Sequence, residues 1–222
     1  MGQKEKKSVN IFKIFGRIIF VMLIALCAVF VFFNITHSYF VVYGPSMTPT
    51  LNVGVVDAEE SKDGVFVSKI KGYSRGDIIV ANKNYNVEGA KEQFVIKRVI
   101  AIGGDKIKID EQDGFSRILL IKNGDSSPIF LDEPYLEDYS INMQLKDNFM
   151  AMVYSLGLQL DEMGFLTIEE NEVFYLGDNR LNSKDCSTYG PKNKNAIVGK
   201  VDYIIYGNTN MYGQVIQQVF GW

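Results

Sequence analysis

The stretch Gln93–Ile102, "QFVIKRVIAI", decides how the chain is read. It is dense in β-branched residues and has no glycine or proline, the composition of a buried strand. Two-residue alternation puts Val95, Lys97 and Val99 on one face and Ile96, Arg98 and Ile100 on the other. Lys97 is thus flanked by apolar side chains, and desolvation there should lower its pKa. Gly103-Gly104 closes the stretch with a tight turn.

Further strands are expected on both sides of it. "VFVSKI" (Val65–Ile70) and "DIIVAN" (Asp77–Asn82) precede it, the latter after an Arg75-Gly76-Asp77 turn. "DKIKID" (Asp105–Asp110), "RILLIKN" (Arg117–Asn123), "EVFYLGDN" and "AIVGKVDYIIYG" follow, with Asn123-Gly124 as a hairpin signal. The predicted class is mostly β. Residues 105–171 read as an insert between two strand-rich portions. Within it Leu145 to Phe165 is compatible with a helix, Met150, Val153, Tyr154 and Leu158 forming the stripe and Gly157 breaking it, or with a loosely structured segment.

Upstream, Ile18 to Phe33 are sixteen uncharged apolar residues. With Ile14, Phe15 and Ile35 they approach the roughly 20 residues needed to span a bilayer. Lys4, Lys6, Lys7, Lys13 and Arg17 precede the run, and no Lys or Arg follows until Lys62. The positive-inside rule puts the N-terminus in the cytoplasm and residues after the run outside. A cleaved leader would have an apolar region of about 7–15 residues and a small-x-small exit. Here the exit is "FVFFNITHSYF", bulky throughout, so the run reads as a lasting single-pass anchor in the cell membrane.

Composition narrows the chemistry. Without Glu5 and the five basic residues before the span, 18 basic and 25 acidic residues remain, a net charge of −7 that argues against a nucleic-acid partner. The two cysteines, Cys27 and Cys186, give no disulfide framework. The single histidine, His37, excludes metal sites built on several histidines and leaves a Ser-His-Asp triad poorly supplied. A hydrolase made from this chain needs another base.

"VVYGPSMTPTL" (Val41–Leu51) reads as a stiff loop presenting Ser46 between Pro45 and Pro49. A bland linker explains these prolines equally well. A lysine of ordinary pKa is neutral about once in a thousand at pH 7.4, and burial can shift it by about 3–5 units. Lys97 could therefore serve Ser46 as general base. The sequence does not show that the two meet. "YLGDNRLNSKDCSTYG" (Tyr175–Gly190) is either a surface loop of Asx turns or a support that orients such a base.

"GPSMTPTL", "RGDIIV", "FVIKRVIAIGGD" and "LGDNRLNSKD" occur in this order behind one N-terminal span. Together they resemble the sequence boxes of bacterial type I signal peptidases, in the short, single-span form typical of Gram-positive bacteria. The resemblance runs from the anchor to about Tyr206, except between Leu136 and Glu170.

It implies a membrane-anchored serine endopeptidase that removes signal peptides from exported preproteins, cleaving after small residues, with preprotein and lipid bilayer as partners and no cofactor or metal. The implied layout is a basic cytoplasmic stretch over 1–13 and an anchor over 14–35. A catalytic β core over 36–104 and 172–222 then carries the inserted subdomain 105–171. Ser46 maps onto the nucleophile and Lys97 onto its base. Ser183 would hydrogen-bond the lysine ammonium, Asp185 would support that loop, and Arg98 would pair with Asp178. Val42, Gly44, Met47, Leu51, Val95 and Ile96 map onto the substrate-binding positions, with shallow apolar pockets for small side chains.

Three departures stand out. Gly44 replaces a serine that helps bind the oxyanion in some members, leaving the Ser46 backbone N–H as the main donor. Cys186-Ser187 replaces a Ser-Arg pair, and Gly103-Gly104 a Pro-Gly. A relative devoted to a single substrate would share this core. An inactive tethered binder would have been expected to lose Ser46, Lys97 or Ser183. The apolar C-terminal segment "NMYGQVIQQVFGW" could meet the membrane surface or pack in the core.

Overall fold

A computed structural model describes residues 11–91, 93–112, 115–136 and 144–207. The C-terminal apolar segment and the first lysines lie outside them. Two compact units are distinguished, Met1–His37 and Ser38–Trp222.

The first unit is a helix, α1 (Ile11–Thr36). Its 26 residues extend about 39 Å at 1.5 Å each, more than the roughly 30 Å of a hydrocarbon core. Its end satisfies its own polar groups. Asn34 Nδ2 donates to the Phe30 carbonyl (2.9 Å), Thr36 Oγ1 donates to that of Phe32 (2.8 Å), and the His37 ring stacks on Phe33 at 4.6 Å.

The second unit holds two sheets. The larger contains β1 (His37–Tyr43), β2 (Ser61–Ser68), β3 (Ile78–Asn82), β4 (Phe94–Ile102), β9 (Glu172–Leu176), β10 (Lys192–Asn193) and β11 (Ile197–Ile205). Its order is β1-β2-β11-β3-β4-β9-β10. The smaller, in order β7-β6-β5-β8, is made of β5 (Lys106–Gln112), β6 (Phe115–Ile121), β7 (Ile129–Phe130) and β8 (Leu166–Thr167). Helix α2 (Leu145–Ser155) lies between β7 and β8 in the chain, and the short α3 (Cys186–Tyr189) follows β9.

β4 feeds two cores, alternating as far as Val99, after which a register shift between Val99 and Ala101 puts Ile100 in the first core as well. Val95 and Val99 pack with Ile79, Ile107, Ile118, Phe149 and Phe174, while Ile96 packs with Val42, Met47, Leu51 and Val80. Residues of both sheets share the first of these cores. Phe149 of α2 meets Phe174 of β9 edge to face at 6.1 Å. β4 pairs antiparallel with β3 (Ile79 opposite Lys97) and with β9 (Arg98 opposite Leu176), so Lys97 and Arg98 are held from both sides. The Asn123-Gly124 signal becomes the turn between β6 and β7, with Gly124 at φ +90°.

Two expectations need correction. The segment from Leu145 is a helix, but its buried stripe is Leu145, Phe149, Met152 and Val153, while Met150 and Tyr154 face outward. Leu158 lies beyond the helix, which ends in a Schellman motif. Gly157 takes φ +63° and donates to the Tyr154 carbonyl, and Leu158 N–H donates to that of Val153. Strand structure also begins well before Val65, where the first strand was expected, at β1, whose apolar residues are continuous with the span and hide the boundary. β2 starts at Ser61, four residues before the expected Val65. The polar Asp63 is buried there by accepting from Asn52 N–H (2.6 Å), and Gly64 lies under the Tyr39 ring, 2.0 Å from the hydroxyl oxygen if it had a Cβ.

Candidate active site

The loop after β1 is fixed from below. Gly44 takes φ +73° and donates to the Glu60 carbonyl (2.9 Å). Thr48 N–H reaches the Pro45 carbonyl and Leu51 N–H that of Met47, so the chain makes compact turns around Ser46. Met47 and Leu51 are wholly buried and anchor these turns in the second core. Asn52, at φ +57°, closes the loop. Its amide donates to the Val42 and Gly44 carbonyls (2.8 and 3.0 Å), and its oxygen accepts from the N–H groups of Lys62 and Asp63. All four bonding positions of this buried side chain are used.

Lys97 crosses to this loop from β4. Its Nζ donates to Ser46 Oγ at 2.7 Å and to the Ile96 carbonyl at 3.0 Å. The residue is 4% exposed, and desolvation lowers its pKa from 10.5 to about 8. The Asp185 and Asp178 carboxylates and the Cys186 thiol oppose that shift, and the Lys83 ammonium adds to it. A hydroxyl and a readily neutralised amine are therefore already in proton-transfer contact.

The loop after β9 grips the serine loop. Asn179 N–H donates to the Ser46 carbonyl, and its Nδ2 to that of Pro45, both at 3.1 Å. Gly177 is required by close approach, since a Cβ there would lie 2.3 Å from Ser183 Oγ and 2.5 Å from the Ser46 carbonyl oxygen. Arg98 binds Asp178 through two contacts (Nε–Oδ1 2.8 Å, Nη2–Oδ2 2.5 Å), and Thr50 Oγ1 donates to the same carboxylate at 2.5 Å. Asp185 caps α3, accepting from Ser187 N–H and hydroxyl and from Gly177 N–H. The arrangement expected of Ser183 is not formed. Its hydroxyl is buried against Gly177 with no hydrogen-bond partner among the described residues, while the Lys97 ammonium donates to Ser46 and Ile96.

Val42, Val95 and Ile96 line a cleft of about 140 Å³ together with Ser46, Lys97 and Phe40. Met47 and Leu51 lie in the core rather than on its walls, and Gly44 does not border it. Thr50, Asn52 and Asn179 acquire partners that sequence reasoning missed. Their signal is only that short polar side chains crowd two turn-rich loops. Glu133 and Tyr135 were missed entirely. Each lies in the 105–171 segment yet reaches Arg180 of the second loop.

The family model described as "Signal peptidase, peptidase S26" matches residues 15–206. The chain belongs to this family. Among curated relatives it is 33% identical over 185 residues to signal peptidase I of Bacillus caldolyticus, covering 81% of this chain and 85% of that protein. It is 28% identical to signal peptidase IB of Staphylococcus aureus, covering 82% and 86%. Among solved structures, a signal peptidase I from Enterococcus faecalis matches at 26% identity with a TM-score of 0.38, covering 59% of this chain and 97% of that one.

The family's variations have local causes here. A side chain at Gly44 would have to adopt φ +73° with its Cβ 3.3 Å from Ala58 Cα, so the serine of other members does not suit this backbone. The Ser187 hydroxyl supplies Asp185 with a side-chain donor where the arginine is absent, beside the backbone N–H of the same residue. Cys186 is fully buried, and burial raises its thiol pKa. A Cβ at Gly103 would lie 2.6 Å from the Glu170 carbonyl oxygen, which leaves no room for proline.

Proposed function

We propose that this chain is a membrane-anchored serine endopeptidase that removes N-terminal signal peptides from exported preproteins. The observation that carries the reading is the 2.7 Å contact between Lys97 Nζ and Ser46 Oγ, with the lysine's pKa lowered to about 8 by burial. Neutral Lys97 takes the Ser46 proton as the oxygen attacks the scissile carbonyl. The tetrahedral intermediate's oxyanion is met by the Ser46 backbone N–H. Collapse expels the amine of the mature protein, which receives the proton from Lys97 and leaves an acyl-enzyme. Neutral again, Lys97 deprotonates a water that releases the signal peptide and regenerates Ser46.

The small cleft lined by Val42, Val95 and Ile96 would accept the small side chains before the cut. Asp178, Arg98 and Asp185 would hold the second loop in place. The basic residues before α1 favour a cytoplasmic N-terminus, which puts the catalytic part outside, where an exported preprotein emerges.

The test is to incubate detergent-solubilised full-length protein with a preprotein and locate the cut by mass spectrometry, beside Ser46→Ala. A single cut after a small residue, absent with Ser46→Ala, is the expected result. A cut that persists in Ser46→Ala, or no cut by the folded wild type, overturns the reading.

A further inference from the structure

The segment that follows β7 sends two side chains under the second loop. Glu133 and Arg180 form an ion pair with side chains 0% and 1% exposed. Arg180 Nε also donates to the Gly177 carbonyl at 3.0 Å. Tyr135 links this pair to the other arginine of the site. Its hydroxyl donates to Glu133 Oε1 at 2.7 Å, and its ring lies 3.9 Å from the Arg98 guanidinium carbon. Two arginines, Asp178 and Glu133 thus form a charge-balanced group with Tyr135 inside it.

The turn above this group is Gly177–Asp178–Asn179, each residue of which is committed to the site. Gly177 N–H holds Asp185, Asp178 holds Arg98 and Thr50, and Asn179 holds the Ser46 and Pro45 carbonyls. Replacing a buried ion pair with packed apolar side chains is often neutral for stability, so stability alone is a weak account of one. Fixing the geometry of a catalytic turn explains it better.

We propose that Glu133 and Tyr135 are positioning residues: by clamping Arg180 and Arg98 from below, they set the Gly177–Asn179 turn and through it the seat of Ser46 and Lys97. The inference rests on the peptidase reading for its rate effect but not for its effect on Lys97. The groups facing Lys97 are the Asp185 and Asp178 carboxylates, the Cys186 thiol, the Lys83 ammonium and the Ser46 hydroxyl. A displaced turn would admit water to the lysine and weaken the desolvation that dominates its titration.

The experiment compares full-length wild type, Tyr135→Phe, Glu133→Gln and Ser46→Ala in detergent. Single-turnover cleavage of a preprotein is followed from pH 6 to 10, and Lys97 titration by NMR of 13Cε-labelled lysine. Glu133→Gln is expected to lower kcat by about 100-fold, the scale of an ångström-sized misplacement, with KM within about twofold. Tyr135→Phe is expected to lower it by about tenfold, as the hydroxyl's bonds to Glu133 and Arg180 are lost while the ring stays on Arg98. In both, the titration midpoint should move from about 8 toward the ordinary lysine value. Folded variants with wild-type kcat and midpoint overturn the proposal. Should Glu133→Gln fail to fold, Tyr135→Phe, which removes a single hydroxyl, decides. Should the wild type not cleave, the peptidase reading fails, and the NMR midpoints still decide whether the clamp acts on Lys97.

Discussion

The protonation of Lys97 gives the most searching prediction, because it ties rate and stability to one number. With a pKa of about 8, Lys97 is neutral in about one molecule in five at pH 7.4, against about one in a thousand at the unperturbed 10.5. Single-turnover cleavage should therefore rise about tenfold from pH 6 to 7, reach half its maximum near pH 8 and level off above about pH 9.5. The stability consequence has a definite sign. The folded pKa is below the unfolded one, so the unfolded chain binds more protons between about pH 8 and 10.5, and stability rises with pH across that window. Below pH 8 the folded state carries the full penalty, about 3 kcal/mol for a shift from 10.5 to 8. Lys97→Met removes the penalty but also the bonds to Ser46 and Ile96, each about 1 kcal/mol. At pH 7 the inactive variant should thus be about 1 kcal/mol more stable than wild type by urea denaturation in detergent. Near pH 10.5 it should lose that advantage. A cleavage rate flat from pH 6 to 10 would refute the reasoning, as would a Lys97→Met protein more than about 1 kcal/mol less stable at pH 7.

Asn52→Ala should destabilise the protein by about 3–5 kcal/mol, since four side-chain hydrogen bonds vanish from a buried site. Asn52→Gly should regain about 1 kcal/mol of this, because φ +57° is free for glycine; urea midpoints that fall by less than 1 kcal/mol in both would show that the staple is dispensable. Ser183→Ala should leave stability unchanged or raise it by about 1 kcal/mol, its hydroxyl being buried without a partner. A loss above about 1 kcal/mol in the same assay would mean that the hydroxyl is bonded in solution.

The strands were legible from their β-branched and aromatic content, and in β5 burial alternates residue by residue, whereas β3, β4 and β9 bury runs of consecutive residues. The pairing of Arg98 with Asp178 and the meeting of Ser46 with Lys97 are contacts 80 and 51 residues apart, which periodicity cannot supply. They were reached by resemblance. β1 was not legible, since its "HSYFVVY" continues the hydrophobicity of the span. The stripe of α2 was misphased because Leu158, beyond the Gly157 break, was counted with it, whereas the Schellman turn stops the helix at Ser155. Glu133 and Tyr135 gave no local sign at all. An acidic residue beside a proline looks like surface, and only the fold shows it buried against Arg180.

These contacts also explain how a lysine can be lowered to about 8 with two carboxylates facing it. Asp178 and Asp185 both push the Lys97 pKa upward, against the larger effect of burial. Each is committed elsewhere. Arg98 and Thr50 occupy the Asp178 oxygens, while Ser187 and the Gly177 N–H occupy those of Asp185. Held by these partners, neither carboxylate hydrogen-bonds Lys97, whose own hydrogen bonds go to Ser46 and Ile96. Desolvation is left as the largest influence, so that about one molecule in five carries a neutral Lys97 at pH 7.4. On the proposed mechanism, the loops would act by where they hold these carboxylates relative to the lysine as well as by what they hold against the serine. Removing Arg98 should accordingly raise the Lys97 pKa rather than lower it, because the freed Asp178 charge would then favour the ammonium.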